Sequence, residues 1–213
     1  MIAFTDLTGL AGSAVAVAAT TACLPGVARL RKERRIILMC AVAVVALFPF
    51  GALPLAAYLR GAIGDLSITS LVLLALAIAR FVLAPAPAGE PIISCREPEC
   101  EKDRQALLLL VVLAAAWLYP MALGVGLFDP YRAGYGSVWL VGALLLLALA
   151  ACHRGRLLVA SCIALPVLAW SVGWHESNNL WDYLLDPLLA IYAAGTVVKR
   201  GARRRIKHAP AST

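Results

Sequence analysis

The sequence predicts an all-α protein, a polytopic bundle of transmembrane helices. Of its 213 residues, 62% are hydrophobic and only 15% are charged, and the mean hydropathy is +0.85. Soluble domains are about 45–50% apolar and about 25% charged. The apolar residues form long continuous runs, as spanning helices of roughly 20 residues require. The short loops leave no room for a sizeable soluble domain.

Seven apolar runs divide the chain, which we treat as a single transmembrane domain over residues 1–213. Pro49, Gly51 and Pro54 interrupt the second run and predict a kink or break there. Six spans result if the short fifth and sixth runs merge or one of them re-enters. The predicted spans are 8–28, 36–59, 66–84, 106–128, 137–152, 157–173 and 179–198, with a cytoplasmic loop at 85–105 and a basic tail at 199–213.

The distribution of charge predicts the orientation of these spans. Seventeen Lys and Arg residues fall in the loops and tail of one side, whereas the other side holds only Arg60 and Arg132. Cationic residues collect on the cytoplasmic side, so the N-terminus is expected outside and the C-terminus inside. All six cysteines lie toward the cytoplasmic side, where thiols stay reduced, and all five tryptophans lie at outer ends. We expect a bacterial-type inner (plasma) membrane protein.

The net charge of +7 follows from this topology, because the basic residues flank apolar runs. It therefore does not indicate a nucleic-acid partner. The basic tail, Lys199 to His208, is expected to attract anionic lipid at about 1 kcal/mol per charge. Small residues in the first span, such as Gly9 and Gly12, favour contact with other helices, including those of a membrane protein partner.

A stripe of polar residues leads into the last run. His175, Asn179, Asp182 and Asp186 are spaced so that one face of a continuous helix would carry all four. A carboxylate within lipid costs about 2.5–3.5 kcal/mol on insertion scales. Asp186 is therefore expected to pair with an arginine, to be protonated or to line a wet cavity. The alternative is a shallower position near the lipid headgroups.

These residues predict an outward-facing polar pocket. Asp182 and Asp186 are the candidate catalytic residues, as bases or ligands, and arginine side chains suit an anionic group such as phosphate. The alternative interpretation is a set of solvated loop residues, with Arg60–Asp65 and Asp129–Arg132 pairing locally. The candidate substrate-binding residues are Arg60, Asp65, Asp129, Tyr131, Arg132, His175, Glu176, Asn178, Asn179 and Trp181.

The sequence carries no motif that predicts a metal or a cofactor. Cys95 and Cys100 lack the spacing and the second pair of a structural zinc site. The outer acidic residues do not match a calcium-binding or magnesium-binding motif, and there is no P-loop, hydrolase elbow or Rossmann glycine pattern. We therefore predict neither a bound metal nor a cofactor.

The function that fits these features is the handling of a lipid-linked, glycan or lipid-headgroup substrate in the cell envelope. The protein would act on this substrate itself or help a partner to do so, so its status as an enzyme stays open. One alternative is a proton- or cation-coupled transporter or channel subunit with Asp186 as its titrating site. Another is a non-catalytic membrane assembly subunit that binds other helices through small residues.

Overall fold

The computed structural model describes residues 4–51, 53–83 and 98–208, and the regular structure in them is almost entirely helical. The all-α prediction is thus confirmed. Two strands of two residues each, β1 (Pro49–Phe50) and β2 (Leu53–Pro54), and a 3₁₀ helix (Pro130–Gly134) complete the elements. The helices are α1 (Phe4–Ala22), α2 (Pro25–Ala28), α3 (Lys32–Leu47), α4 (Leu55–Ile63), α5 (Ile68–Leu83), α6 (Pro98–Ala122), α7 (Val138–His153), α8 (Leu157–Ser171), α9 (Leu180–Leu184) and α10 (Pro187–His208).

Two apolar cores meet at helix α5. The larger core lies among α5 to α10, where α7 packs on α8 and α6 packs on α10. The smaller core lies among α1, α3 and α5 and consists mostly of alanines, which allow the helix backbones to approach closely. The hydroxyl of Thr69 in α5 donates to the carbonyl of Cys162 in α8 at 3.1 Å and links the larger core across its centre.

A buried arginine stabilises the smaller core. Arg35, only 2% exposed, donates from Nη2 to the carbonyl of Ala22 at the end of α1, and its guanidinium lies 4.4 Å from the ring centre of Phe81 in α5. A cation is favoured at the C-terminal end of a helix and over an aromatic face. This one side chain therefore joins α1, α3 and α5.

The second predicted span is not one helix. Helix α3 ends at Leu47, and an antiparallel hairpin pairs Pro49 with Pro54 before α4 begins at Leu55. Gly51 takes a positive φ of 83° at the turn, a conformation that costs glycine little. The prolines supply no backbone N–H to continue the helix, which explains the break that they predict.

The last predicted span is also divided. Helix α9 has five residues, Leu185 is extended, and α10 begins at Pro187. Proline disfavours a helical residue before it and cannot donate to the preceding turn. The expectation that one continuous helix aligns the polar stripe is therefore wrong for its four residues, His175, Asn179, Asp182 and Asp186.

One helix in the described part of the chain, α6 over Glu99–Ala122, is both long enough and apolar enough to cross a membrane. Three further helices are apolar but shorter: Ile68–Leu83, Val138–His153 and Leu157–Ser171. Most of the predicted loop at 85–105 lies outside the described residues, as does Cys95, and α6 already begins at Pro98. Helix α10 extends through the basic tail to His208.

Candidate functional site

Arg60, on α4, is surrounded by three carboxylates that come from three other parts of the chain. It donates to Asp65 at 2.5 and 3.1 Å and to Asp6 of α1 at 2.9 Å, and it lies 3.1 Å from Glu176. Its hydrogen bond to Asp65 is the main cause that raises the pKa of Arg60 above its ordinary value, against the effect of burial. The expected local Arg60–Asp65 pair is present. Because this arginine is already saturated with carboxylates, it is not available to hold a phosphate.

Gly9 provides the space for this ion cluster. A Cβ atom at that position would lie 2.5 Å from Asp65 Oδ1 and 2.6 Å from Arg60 Nε. These separations are far below van der Waals contact, so α1 approaches the cluster closely only because residue 9 lacks a side chain.

Asp186 lies where two helices begin. Its Oδ2 accepts from the backbone N–H of Ser67 at 3.0 Å and from the hydroxyls of Ser67 and Ser70 at 2.7 and 2.5 Å. Its Oδ1 accepts from the N–H of Leu189 at 2.8 Å. The carboxylate thus satisfies unpaired donors at the N-terminus of α5 and at the N-terminus of α10, which is the ordinary role of an acidic cap.

This geometry explains how a buried carboxylate is tolerated. Asp186 is 3% exposed, and the helix N-termini that meet at it both favour negative charge. We expected Asp186 to pair with an arginine, to be protonated or to line a wet cavity. Instead, serine hydroxyls and backbone N–H groups at the starts of α5 and α10 donate hydrogen bonds to it. Ser67 and Ser70 were missed by the sequence analysis. Their position just before an apolar run is a signal of helix capping that identifies them.

Asp182 lies nearby on α9 and is held by two hydroxyls. Tyr131 donates to its two oxygens at 2.9 and 3.0 Å, and Ser177 donates to Oδ2 at 2.5 Å. Burial and this bond to Asp182 raise the pKa of Tyr131 above its ordinary value. The phenol therefore stays protonated and remains a donor at neutral pH.

Asn179 and Trp181 have structural roles. Asn179 Oδ1 accepts from the N–H of Trp181, and Nδ2 donates to the carbonyl of Tyr131. Trp181 Nε1 donates to the carbonyl of Pro130 at 3.0 Å. A Cβ at Gly134 would overlap Asn179 Oδ1 at 1.7 Å. These contacts fix the 3₁₀ helix against the start of α9.

His175 is different, because its buried ring makes no well-formed hydrogen bond to a described residue, although the backbone of Leu66 acts on it. It is 5% exposed, and neither ring nitrogen makes a hydrogen bond of ordinary geometry to a residue in the described ranges. Its ring lies 4.8 Å from that of Tyr183, whose hydroxyl accepts from the His175 N–H at 3.0 Å. Burial lowers the pKa of His175, while Asp65 partly offsets the effect, so the imidazole is neutral at pH 7.

A second unpaired group was missed by the sequence analysis. The hydroxyl of Tyr119, near the C-terminal end of α6, is buried and has no hydrogen-bond partner among the described residues. Asp182 and Asp186 both exert a coulombic effect on it. A buried polar atom without a partner costs about 1–3 kcal/mol, so His175 and Tyr119 mark the places where a ligand or water would be stabilised.

Three of the expected site residues lie apart from this group. Asp129 caps the 3₁₀ helix by accepting from the Tyr131 N–H, and Arg132 is exposed without an ion pair to any described residue. The expected Asp129–Arg132 pair is therefore absent from the described contacts. Asn178 contributes its backbone carbonyl, which accepts from Trp170 Nε1 at 2.8 Å.

An apolar cavity of about 180 Å³ is lined by residues that neighbour Arg60 and Asp65 in the sequence, Leu59, Gly64 and Leu66, but by no member of the ion cluster itself. Leu66 belongs to its wall, and the backbone of Leu66 also faces His175. We call this space the α1–α4 cavity and define the Arg60–His175 cluster as Asp6, Arg60, Asp65, His175, Glu176 and Asp182. The cavity is lined by Ser13, Ala16, Val17, Thr20, Leu59, Ile63, Gly64, Leu66 and Leu188.

Comparisons with protein-family models, with curated proteins and with solved structures found no match to this chain.

Proposed function

We propose that this chain is a multi-pass membrane protein of the cell envelope that binds a lipid or lipid-linked molecule from the outer leaflet. The polar head would contact the Arg60–His175 cluster, and the apolar part would lie in the α1–α4 cavity. The observation that carries this proposal is that Leu66 both lines the apolar cavity and has its backbone beside the buried imidazole of His175, whose ring nitrogens make no well-formed hydrogen bond to a described residue. A polar group near an apolar cavity suits a ligand that has one polar and one apolar end.

The outer surface of the helices supports a location in lipid. Large apolar side chains are strongly exposed on several helices, including Ile37 (68%), Leu146 (69%) and Ile191 (71%). Soluble monomers rarely expose contiguous apolar patches larger than a few hundred Å². A bilayer around these helices would remove this surface from water.

The proposed arrangement keeps seven spans, with the N-terminus outside and the C-terminus cytoplasmic. Helix α6 is one span, and α9 with α10 forms the last. Helices α5, α7 and α8, of 16, 16 and 15 residues, are each about 22–24 Å long at 1.5 Å per residue. This is shorter than the roughly 30 Å hydrocarbon layer, and local thinning of the bilayer offsets such a difference at modest cost.

This arrangement predicts how deep Asp186 lies in the membrane. Arg200 donates to Glu101 at the start of α6, which in the proposed orientation is the cytoplasmic boundary. Asp186 precedes Arg200 by fourteen residues, about 21 Å along α10 at 1.5 Å per residue. The carboxylate therefore lies close to the outer boundary of the thinned layer, because helices α5, α7 and α8 are themselves only about 22–24 Å long.

A tryptophan placed in the cavity tests the proposal. In Ala16→Trp the indole would fill the α1–α4 cavity, whereas in Val15→Trp it would point to the exposed side of the same helix. We expect native mass spectrometry of the detergent-purified protein with added dioleoyl phospholipids to show about tenfold less bound lipid for Ala16→Trp only, equal to about 1.4 kcal/mol.

A second variant covers the case in which Ala16→Trp does not fold. Thr20 lies at the exposed wall of the cavity, so Thr20→Phe narrows the space with little disturbance to the core. Equal lipid retention in the wild type and in a folded cavity variant would overturn the proposal.

A second candidate function is coupled transport, and the break between α9 and α10 favours it. Transporters often place a binding site where a membrane helix is discontinuous, and Asp186 lies at the break between α9 and α10. Asp186→Asn keeps the shape of the side chain and removes its charge. Loss of proton-driven uptake in a folded Asp186→Asn variant, with lipid binding intact, would favour this function over the first.

The basic end of α10 gives a further expectation about lipid. Lys199, Arg200 and Arg203 continue the helix beyond its apolar part, and they should draw anionic headgroups to the cytoplasmic surface. Replacement of these three residues by Gln should reduce the amount of anionic lipid that copurifies, with neutral lipid unchanged.

A further inference from the structure

A second apolar cavity lies inside the larger core, where helices α5 to α9 meet, and it has a volume of about 210 Å³. No described residue lines both this space and the α1–α4 cavity. Helix α6 turns one face toward it, because residues three and four positions apart share a side of a helix. The wall residues of α6 are Leu107, Leu110, Val111 and Ala114, and those of α7 are Leu144 and Leu147. We call this space the α6–α7 cavity.

The polar groups in the wall of the α6–α7 cavity already have partners. The hydroxyl of Thr69 donates to the carbonyl of Cys162 at 3.1 Å, and Trp181 Nε1 donates to the carbonyl of Pro130 at 3.0 Å. The Cys162 thiol is the remaining polar side chain of the described wall, and a thiol is only a weak donor. A water molecule needs two to four polar partners, so an apolar cavity of this kind stays dry. The space therefore suits a group made of carbon and hydrogen.

The α6–α7 cavity opens sideways between the two helices. Both helices pack on α8, and within the described part of the chain they make little contact with each other. Leu110 and Leu147 line this opening, with 37% and 43% of their surface exposed. Cys162 and Ile163 of α8 form the inner wall and are buried. The opening therefore leads from the surface of the helices toward the centre of the larger core.

The opening lies below the level of the lipid headgroups in the proposed topology. Leu110 follows Arg104 by six residues, and Leu147 precedes His153 by six. Each leucine is thus about 9 Å from the polar end of its helix at 1.5 Å per residue. Both of these ends are cytoplasmic in the proposed topology, so the opening faces the hydrocarbon of the cytoplasmic leaflet.

The surface around the opening identifies the occupant. Leu109 and Leu113 of α6 and Leu146 of α7 are exposed, and no charged residue lies within 105–122 or 138–152. A polar molecule finds no group to bind on this surface. The chains of a bilayer lipid, in contrast, would be in direct contact with it.

We infer that the α6–α7 cavity holds part of an acyl chain of a cytoplasmic-leaflet phospholipid, which enters between Leu110 and Leu147. An apolar cavity of about 150 Å³ is enough for benzene, so about 210 Å³ accepts a larger piece of hydrocarbon. The inference goes beyond the proposed function, because it concerns a second site and the other leaflet. It rests on the proposed membrane topology and not on the α1–α4 cavity. Since Thr69 and Trp181 already have partners, the site selects the chain and not the head.

A phospholipid with a photoreactive group in one chain tests the inference. The full-length protein is placed in nanodiscs that contain phosphatidylcholine with a diazirine on one acyl chain, because detergent would compete for an apolar cavity. After illumination, mass spectrometry of the peptides locates the label. We expect label on Cys162 and Ile163 of α8, which are 1% and 6% exposed, so a chain that stays outside the protein does not reach them.

Ala114→Phe fills the cavity, and Ala116→Phe is its matched control. Ala114 lines the cavity, whereas Ala116 lies on the exposed side of the same helix. We expect Ala114→Phe to reduce the label on α8 about tenfold, equal to about 1.4 kcal/mol, and Ala116→Phe to leave it unchanged. Equal label in the wild type and in folded Ala114→Phe would overturn the inference, as would a wild type without label on α8.

A second pair of variants covers the case in which Ala114→Phe does not fold. Leu110→Trp narrows the opening at a partly exposed position, and Leu109→Trp places the same indole on an exposed residue outside the cavity wall. Only Leu110→Trp should reduce the label on α8. An equal reduction by both variants, or none by folded Leu110→Trp, would contradict entry between α6 and α7.

Two further photoreactive lipids identify the recognised group. Phosphatidylethanolamine with the same chain should label α8 as strongly as phosphatidylcholine, and a clear preference for one head would contradict selection by the chain. The free fatty acid distinguishes the source of the chain. Label on α8 from this acid, with none from either phospholipid, would overturn the assignment to a bilayer lipid.

Ala16→Trp separates this inference from the proposed function. It fills the α1–α4 cavity and should leave the label on α8 unchanged, and a loss of that label would contradict a separate site. Absence of label on α8, while Ala16→Trp still reduces lipid retention in detergent, overturns this inference alone. Label on α8, together with retention that Ala16→Trp leaves unchanged, overturns the proposed function alone.

Discussion

A polar cluster at the start of α6 and the Arg60–His175 cluster differ in their balance of charge. At the start of α6, Glu101 accepts from Arg104 at 3.1 Å and from Arg200 of α10 at 2.5 Å. Arg104 also donates to the hydroxyl of Tyr192 at 2.6 Å. There two cations pair with one carboxylate, whereas three carboxylates share the single guanidinium of Arg60 among the described ion pairs.

Buried polar atoms without a well-formed hydrogen bond occur in both parts of the molecule. At the start of α6, Glu101, Arg104, Arg200 and Tyr192 pair with one another, whereas Asp103 Oδ1 is buried without a partner among the described residues. The His175 ring and the Tyr119 hydroxyl are also buried without a well-formed hydrogen bond to a described residue. Such groups are rare in native proteins, so the balance of charge, and not the pairing of buried atoms, distinguishes the two clusters.

Of the substitutions considered, removal of the Asp186 carboxylate should change the free energy of unfolding most. Asp186→Ala leaves the starts of α5 and α10 without their shared acceptor, and we expect a loss of about 1–4 kcal/mol in the free energy of unfolding, the sum of two helix caps. Thermal unfolding in detergent micelles measures it. Asp129→Ala, which removes one exposed cap, is the control and should cost about 0.5–1 kcal/mol. Equal losses would show that Asp186 does not join the two helices.

Gly9→Ala should have the next largest effect. The added methyl group would push against Asp65 and Arg60, and we expect about 1–3 kcal/mol of destabilisation, as for overpacking in a close-fitted site. Gly61→Ala on α4 meets nothing within 4 Å and should instead stabilise by up to about 1 kcal/mol, because alanine favours the helix. An unchanged melting temperature for Gly9→Ala would mean that α1 does not approach the cluster closely.

His175→Phe should act in the opposite direction and stabilise the protein. Loss of the unpaired nitrogens should add about 1–2 kcal/mol to the free energy of unfolding. Because burial lowers the pKa of His175 in the folded state, the unfolded chain binds that proton more tightly. Wild-type stability should therefore fall as the pH drops through and below about 6.5.

Melting curves at a series of pH values test whether stability falls, as predicted, when the pH is lowered. The wild type should lose more stability than His175→Phe on acidification from about pH 8 to pH 5, since only the wild type titrates at position 175. Arg60, Asp65 and Asp182 act on His175 electrostatically and are present in both proteins. Parallel curves would show that His175 is as well solvated in the folded protein as in the unfolded chain.

Glu101→Gln should have the smallest effect. Its ion pairs with Arg104 and Arg200 are partly exposed, and such pairs contribute about 0.2–1 kcal/mol. The melting temperature should therefore fall only slightly. Lipid retention should be unchanged. A loss as large as that of Asp186→Ala would mean that the Glu101 ion pairs stabilise the fold as much as the Asp186 cap does.

The helical class and several helix ends follow from local features of the sequence. Pro49 and Pro54 break the second run and Pro187 begins the last helix, because proline restricts its own backbone and that of its neighbour. The sequence analysis used the first two prolines and overlooked the third. The prediction that the polar residues from His175 to Asp186 share one helix face failed at Pro187, since their spacing aligns them only on an unbroken helix.

The sequence alone determined that the chain is helical and strongly apolar, and it drew attention to the polar segment from His175 to Asp186. Only the tertiary structure decided the partners: Ser67 for Asp186 across 119 residues, Asp6 and Glu176 for Arg60, and none in the described chain for the ring of His175. The physical reason is that composition and backbone restriction are local, whereas pairing depends on which helices pack together.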